Sequence, residues 1–359
     1  MSTQLRHRVA RMTNIRIRSE HPLPSPAQLK ADLPMTEKAW KTIGTARKIG
    51  QRILRGVDPR FMLVLGPCSV HSTEDCLEYG RWLSVLQKKF GSRIFFMMRL
   101  CFSKPRTKPD WTGFWSDPDL DGSYDIEKGW REGRRLALDL SELGIPIATE
   151  YNDIPGQQRF DDLYSLYWIG AREVTNQQLR QVASALSCPV GFKNPISGPL
   201  QPALDSLAFA KTSHSLPAVS DSGIMAKFET TGNPDGFLIL RGTHHGPNYC
   251  PEQVAEAQHA LTAQGLSPRL VVDFSHANSG KDHKAQIEVC RSVANQVASG
   301  VPIFGGLYES NLLDGSQKIV IRSGQKPTIE SGVSITDSCD GLGRSHDLIK
   351  ELFDALGNR

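Results

Sequence analysis

The chain has 359 residues, of which 39 % are apolar and 22 % charged, ordinary values for a globular protein and long enough for one large α/β domain with an extension. No apolar run approaches the roughly 18 residues that span a bilayer. The first 20 residues hold five arginines and no apolar segment, which argues against a secretory signal or membrane partner and for a cytoplasmic protein. Seven scattered cysteines (68, 76, 101, 188, 250, 290 and 339) contain no CxxC pair and exclude a disulfide framework, so any working cysteine acts singly.

Net charge is +4, but residues 1–60 carry thirteen Lys/Arg against four Asp/Glu. This basic stretch lacks interleaved aromatics or any nucleic-acid module, so no nucleic-acid partner is expected. It reads as an N-terminal extension and helix serving oligomer contacts, in a homodimer or homotetramer. Residues 19–35 are proline-rich and predicted to be extended. From Thr36 to Arg55, apolar residues at 39, 43, 46, 49 and 53 keep helical spacing.

Beyond residue 60 the chain alternates between short apolar runs and amphipathic stretches. The runs are FMLVLGPC (61–68), IFFMMRL (94–100), PIATE (146–150), YWIGAR (167–172), PVGFKN (189–194), GFLILRG (236–242), RLVVDFSH (269–276) and PIFGGLYE (302–309). Eight strands interleaved with helices predict a parallel sheet buried on both faces. Eight such units predict a closed (β/α)8 TIM barrel over 61–359. The long interval between the fifth and sixth runs predicts a small inserted β-hairpin at about 213–235.

In such a barrel, chemistry collects at the carboxyl ends of the strands. Those ends read Cys68, Arg99, Glu150, Arg172, Lys193, Arg241, His276 and Glu309. Singly, each has a bland explanation as a core thiol, a solvated charge or a satisfied histidine. Eight in register do not, because uncompensated buried charges are costly. Arg99, Arg172, Lys193 and Arg241, with Lys104 just beyond, predict a pocket for a polyanion bearing phosphate and carboxylate groups. Cys68, His276 and Glu309, with Asp337 of SITDSCDG as a fourth ligand, suit one divalent transition metal such as Mn²⁺, Fe²⁺, Co²⁺ or Zn²⁺. Asp273, Ser275 and Asn278 are expected to set the orientation of the His276 ring.

With these residues assembled, the chain resembles the class I 3-deoxy-D-arabino-heptulosonate 7-phosphate (DAHP) synthase family, feedback-regulated microbial and fungal type. The matching segments are GPCSVH (66–71), MR and FSKPRT (98–107), GAR (170–172), SCPVGFKN (187–194), LRG and PNY (240–249), DFSHANSGK (273–281), YES (308–310) and SITDSC (334–339). The resemblance implies a metal-dependent barrel that condenses phosphoenolpyruvate with erythrose 4-phosphate and water to DAHP and phosphate, the first step of the shikimate pathway. Carried over by position, the metal ligands are Cys68, His276, Glu309 and Asp337. Phosphoenolpyruvate falls to Arg99, Lys104, Arg172, Lys193 and Arg241, and erythrose 4-phosphate to Lys104, Pro105, Arg106 and Thr107. Lys104, Glu150, Lys193 and His276 form the expected catalytic set.

The chain departs from the family pattern at Glu173–Asn176 and Pro195–Ser197. It also lacks a usual serine within HSLPAV (214–219), part of the pocket for an aromatic amino acid effector, while keeping Asp153 there. Two other readings are a related phosphoenolpyruvate-dependent synthase using another phosphosugar aldehyde in specialised metabolism, and a non-catalytic regulatory homologue. The KPRT stretch argues against the first, and the complete ligand set against the second.

Overall fold

The computed structural model describes residues 13–152 and 157–357. Each of the eight apolar runs forms a strand: Phe61–Gly66 (β1), Ile94–Arg99 (β2), Ile147–Glu150 (β3), Leu166–Ile169 (β4), Val190–Lys193 (β5), Gly236–Leu240 (β8), Leu270–Asp273 (β9) and Ile303–Glu309 (β10). All eight are parallel, and β10 pairs back onto β1, closing a (β/α)8 barrel. Between β5 and β8, Ser215–Val219 (β6) and Met225–Glu229 (β7) pair as an antiparallel hairpin.

Strand alternation divides the core into two layers. Met62, Val64, Phe95, Met97, Trp168, Ile239, Val271 and Phe304 fill the barrel, whereas Leu63, Phe96, Val190, Leu238 and Val272 pack outward against the helices. Gly191 has no room for a side chain, because a Cβ there would strike Ile239 and come within 2.7 Å of Phe237. A methyl added at this position would overpack a filled interior.

Two helices precede the barrel. Pro26–Asp32 (α1) corrects the expectation of an extended 19–35: Ser25 and Gln28 form a reciprocal capping box, and Pro26 at the first turn presets the helical φ. Glu37–Leu54 (α2) starts on the Thr36 side chain, which accepts from the Ala39 amide. Its Ala46, Ile53 and Leu54 join the barrel's interior cluster. Gln51 and Arg55 reach Asp235, just before β8, at 2.8 and 2.9 Å. Thus α2 closes the amino-terminal mouth of its own barrel, leaving the opposite mouth for chemistry.

Arg134, on the helix Ile126–Glu142 (α4), locks the outer layer. It is fully buried and donates to both carboxylate oxygens of Asp162 at 2.8 Å, to Leu33 O at 2.9 Å and to Arg159 O at 2.9 Å. Removing one partner of a buried pair leaves an uncompensated charge and orphaned carbonyls. Arg134→Met should therefore cost about 3–5 kcal/mol in urea unfolding. Arg55→Ala, whose side chain is 61 % exposed, should cost less than about 1 kcal/mol.

Candidate active site

Every barrel strand delivers a polar group to the carboxyl-terminal mouth, but four do so just past their ends. Cys68, Arg172, Arg241 and His276 lie one to three residues beyond β1, β4, β8 and β9. There the hydrogen-bond ladder stops and the backbone turns each side chain inward. At Gly242, φ +77, a Cβ would come within 2.6 Å of the Ala277 carbonyl carbon, so the loops carrying Arg241 and His276 pack backbone to backbone. Only glycine fits that conformation at that distance. His276 itself sits at φ 56, an uncommon left-handed conformation for a non-glycine residue.

The mouth is a cavity of about 820 Å³. Seven lysines and arginines line it, Lys104, Arg106, Lys108, Arg172, Lys193, Arg241 and Lys281, against three acids, Asp110, Glu150 and Asp337. This excess of cations suits a ligand with more than one anionic group. Pro105, Thr107 and His276 complete the expected residues on the wall. Arg172 Nε donates to Thr107 Oγ1 at 3.1 Å, joining the KPRT loop to the loop after β4. Arg106 is braced by the Trp111 carbonyl and by Asp110, both at 2.9 Å.

Arg99 is placed differently. Only 2 % exposed, it stands behind the wall, donating to the Pro67 and Cys68 carbonyls and pairing with Glu309 at 3.0 Å. Trp168, unnoticed in the sequence, lies beneath both Arg99 and Lys193, its ring 5.2 and 5.8 Å from their charges.

Asp273 organises the centre. It is 1 % exposed, pairs with Lys193 Nζ at 2.7 Å and lies 2.9 Å from His276 Nδ1. The His276 contact is electrostatic, lacking the alignment of a hydrogen bond. Burial opposes ionisation of Asp273, yet His276 and Lys193 outweigh it and hold the carboxyl well below the usual range. Of the three residues expected to orient His276, only Asp273 meets the ring. Ser275 Oγ donates to Gln286 and accepts from the Glu309 amide. Asn278 instead donates to the Leu240 and Asp273 carbonyls, because the left-handed turn at His276 carries the ring away from both.

Cys68 Sγ and one carboxylate oxygen each from Glu309 and Asp337 lie within 4.8 Å of one another. Glu309 Oε1 is buried and accepts no well-aligned hydrogen bond. His276 stands at the edge of this trio, with Nε2 3.9 Å from Glu309 Oε1. One sulfur, one imidazole nitrogen and two carboxylates fit a divalent ion of intermediate softness. Burial pushes the Cys68 thiol up, as does Glu309, while Lys104 opposes them. Lys104 Nζ sits 3.3 Å from the sulfur and 2.9 Å from the Cys68 carbonyl. Burial disfavours that ammonium, but Cys68, Cys101 and Glu309 together hold it above its ordinary range.

Glu150 lines the cavity, and a Cβ on Gly170 would strike its Oε1, so the glycine of GAR leaves this carboxylate its space. Glu173 is absent from the wall and accepts from Asn176 at 3.4 Å. Asp153 lies outside the described residues.

Sequence reading missed a buried asparagine relay. Asn194 Oδ1 accepts from the Arg241 amide at 2.9 Å and from Asn248 at 3.2 Å. Asn248 Oδ1 accepts from the Gly242 amide at 2.7 Å, and its own amide donates to Asn278 at 2.9 Å. These bonds splice the ends of β5, β8 and β9. The signal was present as three asparagines in the loops after strands, but asparagine there reads equally well as a turn residue.

Asp273→Asn should weaken Co²⁺ binding about 10- to 100-fold in equilibrium dialysis without unfolding the chain, since it removes the partner of the histidine expected to ligate.

Residues 33–348 match the family model described as the DAHP synthetase I family. The Tyr-sensitive phospho-2-dehydro-3-deoxyheptonate aldolase of Escherichia coli is 39 % identical over 97 % of each chain. The Trp-sensitive enzyme of Enterobacter agglomerans is 41 % identical over 94 % of this chain and 96 % of its own. The solved phospho-2-dehydro-3-deoxyheptonate aldolase of Francisella tularensis superposes with a TM-score of 0.91 at 38 % identity, covering 95 % of this chain and 98 % of that one.

Proposed function

Because the chain belongs to the DAHP synthetase I family, we propose that it condenses phosphoenolpyruvate with erythrose 4-phosphate and water, yielding DAHP and inorganic phosphate at the head of the shikimate pathway. The observation that carries this reading is the cation-walled cavity opening beside Cys68, Glu309 and Asp337, with His276 at their edge. Phosphoenolpyruvate is held by Lys104, Arg172, Lys193 and Arg241, with Arg99 behind them adding charge and fixing Glu309. Pro105, Arg106 and Thr107, with Lys104, take erythrose 4-phosphate, its phosphate meeting Arg106 and Thr107.

Cys68, His276, Glu309 and Asp337 hold one divalent transition metal, Mn²⁺, Fe²⁺, Co²⁺ or Zn²⁺. When bound, it acts as a Lewis acid that polarises and orients the aldehyde. C3 of phosphoenolpyruvate forms the new bond to the aldehyde carbon, and C2 acquires positive character. Lys104 supplies a proton to the developing alkoxide. Glu150 and Lys193 position the water that adds at C2. The C2–O bond then breaks and phosphate leaves.

An aromatic amino acid effector is supported by the narrow cavity between hairpin and barrel, lined by Leu216, Ala218 and Phe228 of the hairpin and by Tyr167, Val182 and Leu186. The N-terminal segment exposes Ile15, Ile17 and Leu23, and the hairpin exposes Ile224 and Met225, surfaces that suit a homodimer or homotetramer. Among the described residues no helix is long and apolar enough to cross a membrane. We assign the chain to the cytoplasm, in keeping with its scattered free thiols.

Steady-state phosphate release tests the reading. Activity should require both substrates, vanish on chelation and return on adding Mn²⁺ or Co²⁺, with Phe, Tyr and Trp assayed separately as inhibitors. Equal or faster release with another phosphosugar aldehyde would point to a different synthase. Lys104→Met should lower kcat by about 100-fold or more, and near-full turnover with metal bound would remove Lys104 from the mechanism.

A further inference from the structure

A second cluster lies beside the proposed metal trio and shares none of its ligands. His283, Asp314 and Asp340 each bring one ligating atom within 4.8 Å of the others. They come from separate places: the loop after β9, the loop after β10, and the turn entering the helix Leu342–Ala355 (α9). Their existing bonds leave donor capacity unused. His283 Nδ1 lies 2.8 Å from Ser338 Oγ, which leaves Nε2 as the free ring nitrogen. Asp314 Oδ1 accepts from the Gly341 amide at 2.6 Å, and Arg344 Nε stands 3.5 Å from Oδ2.

Asp340 is the decisive member. It is 2 % exposed, and its Oδ2 takes the Tyr308 hydroxyl at 2.7 Å and Gln286 Nε2 at 3.4 Å. Its Oδ1 is buried and has no hydrogen-bond partner. A buried carboxylate oxygen left unmatched is costly unless a positive charge or a proton satisfies it. The cluster has too little of that charge. Asp282, Asp314 and Asp340 face Arg344 and Lys284, and the lysine acts only at a distance. Burial holds His283 below its ordinary value, which favours the neutral, ligating ring.

We propose that His283, Asp314 and Asp340 form a second divalent-cation site, one imidazole and two carboxylates without sulfur, distinct from the Cys68 centre. This donor set suits Zn²⁺, Mn²⁺ or Co²⁺, with water completing the shell. Its ion cross-links the loops after β9 and β10 to the segment that carries Asp337 and Cys339. The Asp340 amide also donates to the Glu309 carbonyl at 3.2 Å, so the cross-link supports the neighbouring centre through the backbone.

Co²⁺ is the probe, because thiolate ligation gives a near-ultraviolet charge-transfer band that a nitrogen and oxygen site lacks. After gel filtration the full chain should retain about two equivalents, of which only one contributes to that band. His283→Gln and Asp314→Asn, both at partly exposed positions where the new amide can keep the local hydrogen bond, should each retain about one equivalent with the band intact. Cys68→Ser should lose the band and retain about one equivalent. A single equivalent in the unaltered chain overturns the second site, as does retention of two by both His283→Gln and Asp314→Asn. A Cys68→Ser chain that keeps its full metal content tells instead against the Cys68 centre.

Discussion

The buried carboxylate of Asp273 is the contact on which the mouth of the barrel depends. At the last position of β9 it faces Lys193 at the end of β5, on the far side of β8, and His276 three residues on, both within 2.9 Å. Without it, Lys193 would be an unpaired ammonium at 4 % exposure, the costly state of a buried charge with no partner. With it, Lys193 is paired and the imidazole is held with Nε2 towards Glu309. Arg99 and Glu309 repeat the arrangement at the ends of β2 and β10, the two strands flanking β1, again as a buried pair. Such pairs add little to stability, since desolvation offsets much of the attraction. Their effect is to keep fixed charges at one mouth of a rigid barrel.

The rest of the fold permits those pairs to exist. Parallel closure gives every strand two neighbours, so backbone groups are satisfied before any side chain is used. Helix α2 fills the opposite mouth with Ala46, Ile53 and Leu54, which keeps water from entering the interior from below. The asparagine relay then fixes loops that strand pairing no longer reaches. A cavity walled by seven cations is held open because hydrogen bonds around it position the backbone, while acids such as Asp273 and Asp110 brace several of those charges.

The two ligand clusters are linked by the segment from Ser334 to Gly341. It carries Asp337 to one and Asp340 to the other, with Cys339 fully buried between them. Gln286 touches both sides, donating to the Glu309 carbonyl at 2.9 Å and to Asp340 at 3.4 Å. The two clusters therefore share a short, buried scaffold.

Alternation and run length in the sequence determined the eight strands, the inserted hairpin's position and the residue types gathered at one mouth. Those features follow from local rules, short apolar runs spaced by amphipathic stretches and a switch from apolar to polar at each strand end. Facing relations were not legible. Arg99 sits behind the wall, and Asp273 alone meets His276, because a left-handed turn and barrel curvature set which side chains point where. His283, Asp314 and Asp340 are 57 residues apart in the chain from first to last, with nothing in their spacing to join them. Only closure of the barrel brings their loops together, since contact across a mouth depends on strand order and loop path rather than on distance along the chain.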